Sequence, residues 1–269
     1  MMYRKYISKL LAVCFSAAML AIPVSAARVE INGTVLMQEE GWIEDGVSYI
    51  TLNALSREGD YFLHWNGETA LLSGQGAELT ARPGESYVEV NGRALYVRGG
   101  VRTVSGRTAL PLRLLEEALG AEVEWDGEEK TASLNTDDAQ AEQAAYGEED
   151  LYWLSRIISA ESRGESLLGQ IAVGNVVLNR VDAEQFPNTI KEVIFDRENG
   201  VQFEPTENGT VYLNPTATSL LAAKLALEGA DVVGDCLYFF APALSQGTWI
   251  VNNCTYYATI GCHRFYLEG

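Results

Sequence analysis

Between Leu151 and Arg180 the apolar positions recur at helical spacing. Leu151, Leu154, Ile157 and Ile158 fall three and four residues apart, which places them on one face of a helix. Glu161 lies three residues beyond Ile158 and four beyond Ile157, so it continues that apolar face, and Gly164 offers the helix a stop. A second helix is predicted from Leu167 to Val181 with Ser166 as its N-cap. Its run Ile171–Leu178 is apolar almost all round and rich in β-branched residues, a pattern that also suits a central strand. Pro187-Asn188-Thr189 starts a short helix through Val193 and Ile194, and Pro215 to Glu228 reads as an alanine- and leucine-rich amphipathic helix closed by Gly229. Gln202-Phe203 reads as loop or strand, and Asn208-Gly209 as a hairpin turn toward Val211-Tyr212-Leu213. Strands are expected over Cys236–Phe240 and Thr248–Val251, and around Tyr256 and Phe265. Helices followed by strands give an α+β pattern.

The first half of the chain has a different rhythm, because it repeats itself. Val29-Glu30-Ile31-Asn32-Gly33 returns as Val88-Glu89-Val90-Asn91-Gly92, and Trp65-Asn66-Gly67-Glu68 as Trp125-Asp126-Gly127-Glu128. Tyr49-Ile50-Thr51-Leu52 matches Ala109-Leu110-Pro111-Leu112. A period near sixty residues makes each copy a small β-α-β-β unit, and two such units would pack into one α+β domain over residues 28–135. Pro111 opens the helix of the second copy and Gly120 ends it, while Asn66-Gly67 and Asp126-Gly127 mark hairpin turns. Trp65, Trp125 and Tyr87 either form a sugar-stacking surface or fill the cores of the repeats; core filling is the preferred reading. Residues 136–150 are acidic and alanine-rich with few apolar anchors, which reads as a solvated linker to a domain at 151–269.

Residues 1–26 read as a signal peptide rather than part of the fold. Arg4, Lys5 and Lys9 precede an apolar stretch from Leu10 to Val24, and Val24-Ser25-Ala26 offers a small-residue cleavage site. Removing those three positive charges takes the formal net charge from −18 to −21. So acidic a protein does not bind nucleic acid by neutralising phosphates. The expected location is secreted or at the cell envelope, with no stable membrane insertion once the signal is removed. Cys236, Cys254 and Cys262 remain, and three pairings stay open for a disulfide in an oxidising compartment. They show no Cys-x-x-Cys spacing and have only His263 near them, so no metal and no cofactor is expected.

Glu161 is the residue with a reason to do chemistry. A carboxyl on an apolar stripe in a helix's last turn loses charge to burial and to the negative end of the helix dipole. Both raise its pKa, as a general acid near neutral pH requires. The ordinary reading pairs it instead with Arg156 or Arg163. Gln170, Asn179 and Arg180 could organise its polar surroundings, although Asn175 and Asn179 are read first as structural hydrogen-bonders. A hydrolytic glycosidase needs a second carboxylate, for which Asp182, Asp196, Glu198 and Glu204 are available. A cysteine nucleophile would need His263 with Cys262 or Cys254, and strand alternation sets Cys262 and His263 on opposite faces.

Two resemblances add to this. Residues 28–135 resemble the copper amine oxidase N-terminal-like (stalk) domain, which implies a spacer or attachment role; with His64 as their one histidine, the name does not imply copper here. Ala160-Glu161-x-Arg163-Gly164-Glu165, Gly169-Gln170-x-Ala172-Val173-Gly174-x-Val176-Val177-Leu178-Asn179-Arg180-Val181 and Phe186-Pro187-Asn188-Thr189-Ile190 resemble the SleB/CwlJ group of cell wall hydrolases. Gln202-Phe203, Leu237–Phe240, Trp249 and Ile260-Gly261-x-His263-x-Phe265 continue the likeness in order. It implies a lysozyme-like catalytic domain acting on peptidoglycan glycan strands as a lytic transglycosylase, with Glu161 as acid and then base. Arg163, Gln170 and Asn179 would support it. Gln202, Phe203, Phe240, Trp249 and His263 are candidates for the saccharide cleft, although Phe240 and Trp249 could equally be core and His263 a structural hydrogen-bonder. A hydrolytic muramidase and a non-catalytic envelope-binding protein are the alternatives.

Overall fold

The computed structural model describes residues 27–198 and 200–269, so the signal-peptide reading of residues 1–26 lies outside the described residues. The chain is α+β throughout. Its first half comprises β1 (Arg28–Ile31), β2 (Thr34–Val35), β3 (Gly41–Glu44), β4 (Val47–Thr51), α1 (Leu52–Glu58), β5 (Phe62–Trp65), β6 (Ala70–Gly74) and β7 (Ala77–Ala81). It continues with β8 (Tyr87–Val90), β9 (Arg93–Tyr96), β10 (Arg102–Val104), β11 (Arg107–Pro111), α2 (Leu112–Leu119), β12 (Glu122–Asp126) and β13 (Thr131–Asn135). The repeat is visible in the backbone. Asn32-Gly33 and Asn91-Gly92 take positive φ at both positions, the requirement of a tight hairpin turn, between β1 and β2 and between β8 and β9.

Three sheets interleave the copies: β12-β13-β1-β2, β10-β11-β4-β3 and β5-β6-β7-β8-β9. The first strand of the first copy pairs parallel with the last strand of the second, so neither copy closes alone. One apolar core joins them, with Ile31, Ile50, Leu55, Leu79, Leu110 and Leu115 fully buried. The tryptophans are not in it. Trp65 and Trp125 stand 50% and 54% exposed on the equivalent edge strands β5 and β12, which corrects the core-filling expectation. Tyr87 does pack inward, against the core of the second half.

That second half comprises α3 (Glu148–Ser162), α4 (Leu167–Asp182), α5 (Ile190–Phe195), α6 (Pro205–Asn208), a 3-10 turn at Thr210–Tyr212 and α7 (Ala217–Leu227). After these come β14 (Tyr238–Phe240), α8 (Thr248–Asn253), β15 (Thr255–Ile260) and β16 (His263–Leu267). The buried run Ile171–Val177 is helix, and the Ser166 hydroxyl accepts from the Gly169 amide as its N-cap. A Cβ at Gly174 would come within 2.9 Å of Ile158 and 3.3 Å of Ala226, so the glycine lets α3, α4 and α7 pack closely. Two expectations fail. Asn208-Gly209 ends the short helix α6, and Thr248–Val251 belongs to a helix, leaving a three-stranded sheet β14-β16-β15.

The two halves are joined by more than a tether. Ala94 of β9 is fully buried in the second core, and α7 packs against β9 as well as α3 and α4. The Arg93 guanidinium grips the Glu228 carboxylate through Nε and Nη2, the latter at 2.7 Å, and donates from Nη1 to the Glu117 carbonyl at 3.2 Å. Both charged side chains are nearly inaccessible, at 6% and 5% exposure. Lys224 Nζ donates to the Gly92 carbonyl at 2.7 Å. The acidic run is anchored at both ends: Thr136 and Ala139 are buried, and Glu148, Glu149 and Asp150 form the first turn of α3, where acids suit the helix dipole.

Candidate active site

Helix α3 buries Leu154, Ile157 and Ile158 completely, and the same face carries Glu161, partly buried, one residue before the helix ends at Ser162. Among the described residues no hydrogen bond or ion pair reaches its carboxyl. Burial pushes its pKa up to about 7; Glu204 adds to the rise and Arg180 opposes it. The sequence predicts the burial, Arg180 among the polar surroundings and Glu204 among the possible second carboxylates, and both charges act on Glu161. Glu204 lies on the loop entering α6, so it and Glu161 are brought together only by the tertiary fold. Of the possible second carboxylates it alone acts on Glu161, while Asp196 acts on Arg180.

The expected supporting residues behave differently. Arg163 is exposed and outside the site, and Arg156 donates to the Tyr152 carbonyl and Asn214 rather than to Glu161. Gln170, buried on α4, donates to the Glu165 carbonyl at 2.9 Å and accepts from the Ser219 hydroxyl at 2.7 Å. It therefore ties α4 to the α3–α4 turn and to α7, one step removed from Glu161. Asn179 donates to the Gly234 and Cys236 carbonyls, and Asn175 to that of Ala230, the structural role expected of both amides.

Arg180, at the end of α4, opens onto a cleft of about 680 Å3 lined also by Phe186, Val201, Gln202, Tyr238, Phe239, Trp249 and Ile250. Gln202 and Trp249 thus line it as expected, Trp249 being 60% exposed and edge-on to Tyr238. Phe203, Phe240 and His263 do not: they are 2%, 9% and 7% exposed and packed in the interior. Phe203 lies behind the Arg180 guanidinium, and Phe240 stacks on Tyr266. His263 packs edge-on against Phe239 with Nδ1 4.0 Å from Glu165 Oε1, and burial lowers its pKa. Tyr238, Phe239 and Phe186 are the cleft residues that sequence missed. Strand alternation could not find them, because β14 is aromatic on both faces.

Glu165 forms a brace beside the cleft. Its Oε2 accepts from the Cys262 amide at 3.1 Å, tying the β15–β16 turn to the end of α3. The fit depends on Gly261: its φ is +57°, and a Cβ there would collide with Glu165 Oε2. The three cysteines are free thiols. Glu165 pushes the exposed Cys262 thiol up and burial does the same to Cys254, whereas a cysteine nucleophile needs a lowered pKa.

Both halves of the chain resemble known proteins. Residues 164–266 match the Cell Wall Hydrolase family model and residues 30–134 the Copper amine oxidase N-terminal domain. The residues do not fit copper: His64 stands exposed on an edge strand, and no three His, Cys, Asp or Glu side chains gather as ligands among the described residues. The chain is 39% identical over 105 residues to the spore cortex-lytic enzyme of Bacillus cereus, covering 39% of each chain. It thus spans about two fifths of the length of such relatives. It is 31% identical to the cell wall hydrolase CwlJ of Oceanobacillus iheyensis, covering 36% of this chain and 72% of that one. Among solved structures, the catalytic domain of the germination-specific lytic transglycosylase SleB from Bacillus anthracis is 36% identical with a TM-score of 0.42, covering 46% of this chain and 99% of that one. The matched family span begins three residues after Glu161, so the role of that residue rests on its own geometry.

Proposed function

This chain belongs to the cell wall hydrolase family, and from that premise we propose that it is a lytic transglycosylase cleaving the β-1,4 bond between N-acetylmuramic acid and N-acetylglucosamine in peptidoglycan. The observation that carries the mechanism is the Glu161 carboxyl, raised to about 7 by burial and coupled in charge to Arg180, which lines the aromatic cleft. Protonated, it donates to the glycosidic oxygen as the C1–O bond breaks. The resulting carboxylate then takes the proton of the muramic acid 6-hydroxyl while that oxygen bonds to C1. The products are a 1,6-anhydro end and a free 4-hydroxyl, and Glu161 is left as it began. A pKa near the working pH serves both steps. Arg180 favours the ionised form, and the rings of Trp249, Tyr238 and Phe186 offer faces for sugars. The signal-peptide reading of residues 1–26 and a peptidoglycan substrate both support action outside the cytoplasm.

The presence of Glu204 favours one alternative, a muramidase in which a second carboxylate activates water. Digestion of purified peptidoglycan by the protein and its Glu161→Gln variant, with mass analysis of the products, separates the readings. Anhydromuramic ends from the parent alone support the transglycosylase. Reducing ends assign hydrolysis, and full activity in the variant removes Glu161 from the mechanism.

A further inference from the structure

Each copy of the repeat in the first half ends the inward-facing positions of one edge strand in an open indole. Val123 and Trp125 lie two apart on β12 and share a face; Val123 packs against the core, and Trp125 carries that face beyond it. Leu63 and Trp65 repeat the arrangement on β5. In both copies the residue directly across on the neighbouring strand is an alanine, Ala132 opposite Trp125 and Ala70 opposite Trp65. A methyl group there cannot cover the ring, so its face stays open. The registers also show that the second hairpin is two residues longer than the first. The turn differs between the copies, and the pairing of tryptophan with alanine does not.

Trp125 lines a groove of about 320 Å3 between the β3–β4 turn, the start of α2 and β12. Leu112 and Ala132 are its buried apolar lining, and Ser48, Arg113 and Glu124 are its polar groups. Glu116 fixes the wall: its Oε2 accepts from Arg113 Nη1 at 2.8 Å and its Oε1 from the Val123 amide at 3.4 Å, tying α2 to β12. The groove is therefore built before a ligand arrives, and little conformational freedom is left to lose. Its volume is at the lower end of small-molecule sites and suits a single ring rather than a helix. Arg113 is already matched by Glu116, and Glu124 adds a negative charge in a chain of net charge −18, so an anionic polymer is repelled. A neutral pyranose fits both surfaces. Its C–H face lies on the negative face of the indole, and its hydroxyls meet Ser48, Arg113 and Glu124 at the ring edge. At Trp65 the positions equivalent to Arg113 and Glu124 are Asn53 and His64, both exposed polar side chains.

We propose that the groove at Trp125 and its counterpart at Trp65 bind neutral pyranose rings, which makes the first half a glycan-binding module with two stacking positions. The occupant is the N-acetylglucosamine-containing strand of peptidoglycan. That choice of polymer rests on the glycan-cleaving reading; the stacking positions themselves do not. Two positions on one domain raise each other's effective concentration along a strand and hold the cleft of the second half near its substrate.

The test follows the two indoles directly. Chitotetraose, a neutral β-1,4-linked N-acetylglucosamine oligomer, is titrated into the full chain carrying Glu161→Gln while the five indole N–H resonances are recorded, each assigned by single substitution. Saturable shifts of the Trp65 and Trp125 signals are expected, with Trp249 reporting the cleft separately. Unmoved Trp65 and Trp125 signals overturn the site. In the same background, binding to peptidoglycan sacculi stripped of protein and anionic polymers should weaken about 5- to 30-fold with Trp125→Ala and further with Trp65→Ala added. Trp125→Phe, which keeps an aromatic face, should recover most of that loss. With Glu161 restored, the double alanine variant should cleave short soluble glycans at the parent rate and intact sacculi more slowly. A loss seen only with unstripped walls would assign the surface to a protein partner and overturn the saccharide site. Shifts at both indoles in a chain that releases no glycan fragments would support the site and count against the glycan-cleaving reading; cleavage with both signals unmoved would do the reverse.

Discussion

Replacing Glu161 by glutamine should make the protein more stable above neutral pH and leave it little changed in mild acid. Folding raises this carboxyl from an ordinary 4.5 to about 7. Between those values the folded chain holds a proton that the unfolded chain releases, so stability falls as pH rises. The loss begins near pH 4.5 and is complete above pH 7. At about 1.4 kcal/mol per pKa unit it reaches about 3 kcal/mol. Glutamine is close in shape to the protonated acid and never ionises, so the variant escapes the loss. For a chain of this size that is a rise of about 6–12 °C in Tm at pH 8. His263, whose pKa burial lowers, titrates in both proteins and cancels from the comparison. Urea unfolding of both proteins at pH 5 and pH 8 tests the reasoning. A variant no more stable than the parent at pH 8, or stabilised equally at both pH values, refutes it. The same variant should lose wall-cleaving activity, so stability gained and function lost would trace to one proton.

Three further outcomes follow from neighbouring contacts. Glu204→Gln removes a charge that raises the Glu161 pKa, so the alkaline limb of the pH–rate profile moves to lower pH; Arg180→Gln moves it to higher pH, provided the variant's circular dichroism matches the parent's. Gly261→Ala should cost about 1–3 kcal/mol, because the new Cβ takes the place of Glu165 Oε2 and φ is +57°. Adding Glu165→Ala to it should recover the steric part, and a simple sum of the two single losses would contradict the brace. A protease site introduced between Glu142 and Ala145 tests the contact between the halves. After cleavage the fragments should co-elute in gel filtration through the Arg93–Glu228 and β9–α7 contacts, and independent elution would show that the covalent connection alone held them.

Glu161 was legible because helical spacing is local: Ile157, Ile158 and Glu161 share a face whatever the rest of the chain does. Which of the four candidate carboxylates acts on it was not, since Glu204 reaches it through a turn whose path the sequence does not specify. The Asn-Gly pairs show the same limit. At 32–33 and 91–92 they make tight hairpins, whereas at 208–209, where a hairpin is expected, Gly209 uses its positive φ to end a helix. The dipeptide announces a left-handed residue and not which element follows it. Thr248-Trp249-Ile250-Val251 has strand composition, yet Gly247 in the left-handed region starts a helix there, which turns Trp249 outward toward the cleft. In the repeat, edge position decided the tryptophans: a sheet has two faces and two margins, and only the order of strands says which residues meet water.

The seam at Arg93 and Glu228 bears on how such a chain can be rearranged over evolutionary time. Helix α7, expected to be amphipathic, spreads its alanines and leucines all round the axis and so has no distinct polar face to turn outward, and β9 covers one of its sides. A different first half, joined by recombination at the acidic run, would have to bring a small residue where Ala94 sits and a guanidinium opposite Glu228. Without them an apolar helix and a buried carboxylate are left bare. In this chain the two halves are therefore fitted to each other, and a substitution on one side of the seam calls for a matching one in its counterpart.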